Sequence, residues 1–290
     1  MTLWLDGALL PDEAAAIPIT DRGLLLGEGL FETLAVWDGR ILELDAHLGR
    51  LARSANILDL PLGWSVEALA AAMASLLAAE RLTGGRAVLR LTLTGGDGPR
   101  GLLPAAQARP RLLITARPMD ALPASPAVIV VAPFAVSATS PLRGHKTLSA
   151  LEQILARRHA AALGADEALM VNTAGHLVEA SAANLFLVAG GRLLTPPLSD
   201  GALPGVTRAR VLDLAAEAGI GVDADTSLGL QDLAAAEEAF LTNSLIGIRP
   251  VASAAGHRFA IGPFTLTARL QDLLAGRWGD RDRAPTRRSG

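Results

Sequence analysis

The stretch SPLRGHKTLSALEQILARRHAAALGADEALMV, Ser140–Val171, holds Lys146, the sole lysine among the 26 lysines and arginines of a 290-residue chain. Arginine serves wherever only a positive charge is needed, and the alanine- and arginine-rich composition fits a GC-rich coding bias that displaces lysine. A lysine that survives such a bias is a candidate for chemistry a guanidinium cannot do, because an amine can shed its proton and act as a nucleophile. The apolar spacing predicts a helix over residues 148–163, closed by Gly164, with Lys146 just ahead of it. A strand, EALMV, is expected next.

Downstream, VEASAANLFLV (Val178–Val188) reads as strand, with Glu179 on a strand edge and Gly190-Gly191 as a hairpin turn after it. LPGVTRARV places Gly205, Val206 and Thr207 at a helix N-terminus, where free N–H groups and the helix dipole suit a phosphate. LTNSLIGIRPV is read as strand and turn, and TLTARLQDLLAGRW as the last helix. Upstream, LWLDGALL and LFETLAVWDGRILEL read as hairpins turning at Asp6-Gly7 and Asp38-Gly39. A helix capped by Asp45 and another starting from Ser65 follow. GRAVLRLTLTGG alternates, with Ala87, Leu89, Leu91 and Leu93 on one face and Arg86, Val88, Arg90, Thr92 and Thr94 on the other. ARPRLLITARPM pairs with it, and VIVVAPFAV is expected to be a buried strand. The expected organisation is a small α/β domain over 1–118, a proline-rich linker over 119–127, a larger domain over 128–278 and a frayed polar tail over 279–290.

Half of the residues are hydrophobic, enough for a large core, and the net charge is −3 with both signs interspersed. That balance points to no nucleic-acid partner. Apolar runs fall far short of the roughly 20 residues of a membrane helix, and the N-terminus lacks the basic start of a signal peptide. A cytoplasmic protein is expected. With no cysteine and no tyrosine, disulfides, thiolate nucleophiles, cysteine-bound metals and phenolic acids or bases are excluded, and no metal site is expected.

Taken in order, GHKTL with LEQ, VEASAANLFLV, LPGVTR and LTNSLIGIRPV resemble the fold-type IV pyridoxal phosphate enzymes. DRGLLLGEGLFETLAVWDGRILELDAHLGRL extends the resemblance to almost the whole chain. This family contains branched-chain and D-amino-acid aminotransferases, R-selective amine transaminases and aminodeoxychorismate lyase. The resemblance implies an α+β fold with a small α/β domain and a larger pseudo-barrel domain. It also implies pyridoxal 5'-phosphate as cofactor and a homodimer. By position, Lys146 would form the Schiff base and shuttle the proton, while Glu179 would pair with the pyridinium nitrogen. Arg50, in HLGRL, would hold the phosphate with Gly205, Val206, Thr207, Ser244 and the backbone of Asn243. Glu32, Arg90 and Arg100 are substrate-side candidates, the two arginines for a carboxylate.

The resemblance also bears on the member of the family. GLFETL and the segment after Lys146 look most like the lyase branch. GGDGPRGLL, however, lacks the first arginine and the tyrosine that lyases often carry after the equivalent strand. Leu151 stands where branched-chain enzymes keep a tyrosine. The expected activity is therefore transamination between an amino acid, a D-amino acid favoured, and a 2-keto acid. Release of pyruvate from aminodeoxychorismate is the alternative. A branched-chain or R-amine transaminase and a non-catalytic binding protein of the same fold stand further off.

Overall fold

The computed structural model describes residues 1–103, 109–120, 122–123 and 125–279; the tail beyond 279 and parts of the 119–127 segment lie outside the described residues. The chain divides into two compact units, Met1–Ala121 with His145–Ala150, and Leu122–Gly144 with Leu151–Gly290.

The first unit runs β1 (Thr2–Leu5), β2 (Ala8–Pro11), α1 (Arg22–Leu26), β3 (Gly29–Trp37), β4 (Arg40–Ile41), α2 (Leu44–Ile57), α3 (Val66–Ala79), β5 (Arg86–Thr94) and β6 (Arg111–Pro118). Its six strands form an antiparallel sheet in the order β2-β1-β6-β5-β3-β4. Both expected hairpin turns form, with Asp6, Gly7, Asp38 and Gly39 all at positive φ, as tight two-residue turns require. One sheet face is the core. Leu30, Leu34, Val36, Leu89, Leu91 and Leu93 pack there with Leu48 and Leu51 of α2 and Met73, Leu76 and Leu77 of α3. Ser65 caps α3, its hydroxyl accepting from Ala68 N. Asp45 does not cap α2: it lies in the first turn, and the cap is Glu43, in a left-handed conformation with φ 52° and no side-chain cap bond. The αL turn by which the chain leaves β4 starts the helix two residues earlier than the capping preference of aspartate suggests.

Lys146 is not on the threshold of a helix. The helix that follows, α4 (Leu151–Ala162), starts five residues later. Lys146 is instead held by β3: its carbonyl accepts from Phe31 N at 2.9 Å, Leu148 N donates to Gly29 O at 2.9 Å, and Leu30 pairs with Thr147. Gly29 permits this approach, since a Cβ there would lie 2.5 Å from Leu148 Cδ1 and 2.3 Å from Leu93 O.

The second unit comprises β7 (Ala127–Val136), α4, β8 (Glu167–Asn172), β9 (Leu177–Ala180), β10 (Asn184–Ala189), β11 (Arg192–Leu194) and α5 (Val206–Glu217). Then come β12 (Val222–Asp223), α6 (Leu230–Ala235), β13 (Glu238–Asn243), β14 (Gly247–Ala254), β15 (His257–Arg258) and α7 (Leu266–Trp278). Strand order is β12-β11-β10-β13-β14-β7-β8-β9, with β15 on β14. The bridge between Ala180 and Ala183 leads β9 back to β10, so six strands close into the barrel-like ring expected of the larger domain. Leu169, Leu177, Leu185, Leu187, Leu241 and Val251 fill one side. Across β10 and β13, Phe186 and Phe240 stack at 4.9 Å between centroids. β7 is not buried throughout: buried and partly exposed residues mix along it, and its pairing with β8 slips between Val131 and Ala135, around Pro133. A proline cannot donate to the ladder, which accounts for the irregularity. α6 was not expected from the sequence; its N-terminus is closed by Asp232, which accepts from Gly229 N at 2.7 Å.

Candidate active site

On the core face of the first sheet, one residue breaks the apolar pattern. Glu32 lies on β3 between Leu30 and Leu34 and is 1% exposed. Two side chains of α2 meet it. Arg50 donates from Nε to Oε1 at 2.8 Å and from Nη2 to Oε2 at 2.6 Å, and His47 Nδ1 lies 2.7 Å from Oε2. His47 and Arg50, three apart, share the inward face of α2. Burial pushes the Glu32 pKa up, but the hydrogen bonds and charges of Arg50 and His47 outweigh it and hold the group below the ordinary carboxylate range. Glu32 is thus a buried carboxylate committed to Arg50 and His47.

The opposite face carries Lys146. Its Nζ lies 4.3 Å from the centroid of the Phe31 ring, and the guanidinium carbon of Arg90, on β5, lies 4.0 Å from the same centroid. One aromatic ring therefore gathers the amine and a guanidinium. Partial burial lowers the Arg90 pKa from its ordinary value. Arg100 is exposed in the turn after β5. Buried Arg22 secures that turn, donating to Gly101 O at 2.9 Å and Leu102 O at 2.7 Å and pairing with Glu28.

In the second unit, the remaining candidates converge on residues 179–184. Glu179 Oε2 accepts from Asn184 Nδ2 and Leu203 N, both at 3.0 Å, and Asn184 Nδ2 also reaches Leu203 O at 2.9 Å. This ties the strand carrying Glu179 to the loop that leads into α5. Gly205 is the N-cap of α5, with Val206 and Thr207 opening its first turn. A Cβ on Gly205 would lie 1.9 Å from Asn184 Oδ1, so any other residue there must displace the Asn184 amide. Asn243 donates to Ala182 O at 3.0 Å and accepts from Leu245 N and Ile246 N, shaping the β13–β14 turn that holds Ser244.

Residues 29–254 match the family of amino-transferase class IV. The chain belongs to that family. Its solved relatives include the 4-amino-4-deoxychorismate lyase of Pseudomonas aeruginosa, at 36% identity and TM-score 0.85, with 97% of this chain and 100% of that one covered. Another is the branched-chain aminotransferase of the thermophilic archaeon Thermoproteus uzoniensis, solved with norvaline, at 30% identity and TM-score 0.86, with 95% of each chain covered. The D-alanine aminotransferase of Bacillus licheniformis is 27% identical, over 94% of this chain and 96% of that protein. Class IV aminotransferases and their lyase relatives are pyridoxal phosphate enzymes of fold type IV, so the chain is an enzyme of that kind.

The residues present fit that cofactor. The Thr207 hydroxyl is buried and finds no hydrogen-bond partner among the described residues. It stands in the first turn of a helix, where backbone N–H groups have no intrahelical acceptor. A phosphate oxygen is a partner of the right chemistry for both. No group of histidine, cysteine, aspartate and glutamate among the described residues could hold a metal, and no helix there is long and apolar enough to cross a membrane.

Sequence reading missed four members of this arrangement. His47 hides beside the apolar spacing of α2, Phe31 beside Glu32, and Asn184 inside a strand pattern. Arg208 follows Thr207 and is buried, donating to Pro196 O at 3.1 Å. Desolvation lowers its pKa, while the charges of Glu179 and Asp225 oppose that. The i, i+3 pair of His47 and Arg50 facing a glutamate on an apolar strand face was the signal to find.

Proposed function

We propose that this enzyme is an aminotransferase that moves an amino group between an amino acid, a D-amino acid favoured, and a 2-keto acid, with Lys146 as its catalytic amine. The observation that carries the reading is the shared placement of Lys146 Nζ and the Arg90 guanidinium on Phe31. A two-pronged guanidinium beside the amine suits an amino acid carboxylate better than a plain amine. Pyridoxal phosphate supplies the electrophilic carbon and the electron-withdrawing ring. Lys146 Nζ would anchor that carbon and, once freed by the donor, would accept the proton of the donor Cα. Glu179, oriented by Asn184 and Leu203 N, would pair with the ring nitrogen and hold its proton. Arg50 would hold the phosphate, as would the first-turn N–H groups of Val206 and Thr207, the Thr207 hydroxyl, Ser244 and the backbone of Asn243. Arg90 orients the donor by its carboxylate, and Arg100 is a second candidate for that contact.

The test is a panel of half-reactions. Loaded enzyme is mixed with D-alanine, D-glutamate and L-leucine without acceptor, and conversion of bound cofactor to its amine form is followed by absorbance. Conversion by the D-amino acids, with a KM raised about tenfold or more in Arg90→Ala, supports the reading. Inertness to all three overturns it. The second reading is the lyase, favoured by the 36% identity to a lyase over 97% of the chain; pyruvate release from aminodeoxychorismate without acceptor would establish it.

A cytoplasmic homodimer is part of the proposal. Its support is the run of exposed leucines on α1, Leu24, Leu25 and Leu26, with exposed Ile19 ahead of them. An apolar strip of this kind suits a second copy of the chain. Sedimentation at micromolar concentration should give a dimer, and Leu25→Asp a monomer.

A further inference from the structure

The buried trio of Glu32, His47 and Arg50 has no packing rationale. The positions around it are leucine, and desolvating each ion is costly, so an apolar trio of similar volume would often be as stable or more so. Its geometry is that of a mount. Side-on pairing through Nε and Nη2 fixes the plane of the Arg50 guanidinium. His47 in turn fixes the carboxylate from α2, one turn before Arg50 itself. A hydrogen bond from His47 to a carboxylate requires the proton on Nδ1, which sets the tautomer. An arginine left to itself gives up rotamer freedom when it is ordered. Here that freedom is already lost in the free protein, so it is not lost again on binding an anion.

We propose that Glu32 and His47 are positioning residues: through Arg50 they set the affinity of the protein for the phosphate of its cofactor, not for the pyridine ring. This rests on the reading that Arg50 holds the phosphate. It assigns Glu32 a place behind the cofactor, not beside the substrate, and gives His47 a role that its burial in a helix face conceals.

The measurement is binding to apoprotein of pyridoxal phosphate and of pyridoxal, which lacks the phosphate, with the ratio of the two dissociation constants as readout. A role confined to folding lowers the melting temperature and leaves the ratio unchanged. His47→Leu should weaken pyridoxal phosphate about tenfold, in the range typical of supporting residues, and leave pyridoxal within about twofold of its wild-type value. His47→Asn, whose Nδ2 can take the place of Nδ1, should restore most of the ratio. Glu32→Gln, isosteric and therefore the variant best able to fold, should lose it as His47→Leu does. Arg50→Ala separates the two layers of the argument. If Arg50→Ala loses the preference for phosphate while Glu32→Gln and His47→Leu keep it, the positioning role is overturned and the phosphate role of Arg50 stands. If Arg50→Ala keeps the preference, both are overturned.

Discussion

The two units order their buried polar groups by different means. In the first, a charged side chain is built into an apolar core and held by a second and third charged or polar group, Arg50 and His47 around Glu32. In the second, the means are backbone: a glycine-capped helix start, a neutral hydroxyl, and an asparagine that ties loop to strand. The first is sensitive to which side chains stand there. The second is sensitive to space, because N–H groups survive most substitutions while a Cβ at Gly205 collides with the Asn184 amide.

The largest effect should come from the residue for which no other type can substitute. Lys146→Arg keeps the charge and the strand pairing to β3, yet turnover should fall by at least about a thousandfold, the scale of losing a catalytic acid–base group. Unchanged far-ultraviolet circular dichroism with loss of the visible cofactor band would show that the loss is chemical. Next comes Gly205→Ala. Asn184 must move off Leu203 O and Glu179, a strain of about 1–3 kcal/mol, so the melting temperature should drop by several degrees even without cofactor. A wild-type melting curve would disprove the crowding at that turn.

Thr207→Val sharpens the contrast because two readouts should part. Without cofactor, a buried hydroxyl that lacks a partner is replaced by an isosteric methyl, and stability should hold or rise by about 1 kcal/mol. Cofactor affinity should fall by roughly tenfold to a hundredfold, the worth of one hydrogen bond to a charged group. A fall in both would mean the hydroxyl has a structural partner. The smallest effect is confined to acid. The Glu32 pKa is lowered in the folded state, so its contribution to stability is complete above its unfolded value and disappears as pH falls through the lowered one. Chemical denaturation of apoprotein across the acid range should show Glu32→Gln with a shallower loss than wild type, the two curves running parallel near neutrality.

Much of this was legible in one dimension. Hairpins with aspartate-glycine turns, the alternation of β5 and the Ser65 cap are set by neighbours in sequence. The order of motifs around Lys146, Glu179, Gly205 and Ser244 carried the family. What stayed hidden depends on pairing across distance. Nothing near Lys146 signals that it docks on Gly29–Phe31, because register between segments over a hundred residues apart is set by packing. Glu32 was a substrate-side candidate in the sequence, and its contacts with Arg50 and His47 emerge only once α2 packs over β3. Glu43 displaced Asp45 as cap because of a turn conformation that the capping preference does not encode.

The docking of residues 146–148 on β3 also limits how far the protein can be taken apart. The backbone of Gly29–Phe31 is satisfied on its outer side by a segment that arrives only after the chain has already entered the second unit. A gene divided after the first 121 residues would encode a sheet with an open, sticky edge and no amine, and the remainder would carry the amine on an unanchored strand. The two units are therefore not interchangeable cassettes. Recombination between relatives should succeed only when Gly29–Phe31 and the lysine segment are inherited from the same parent.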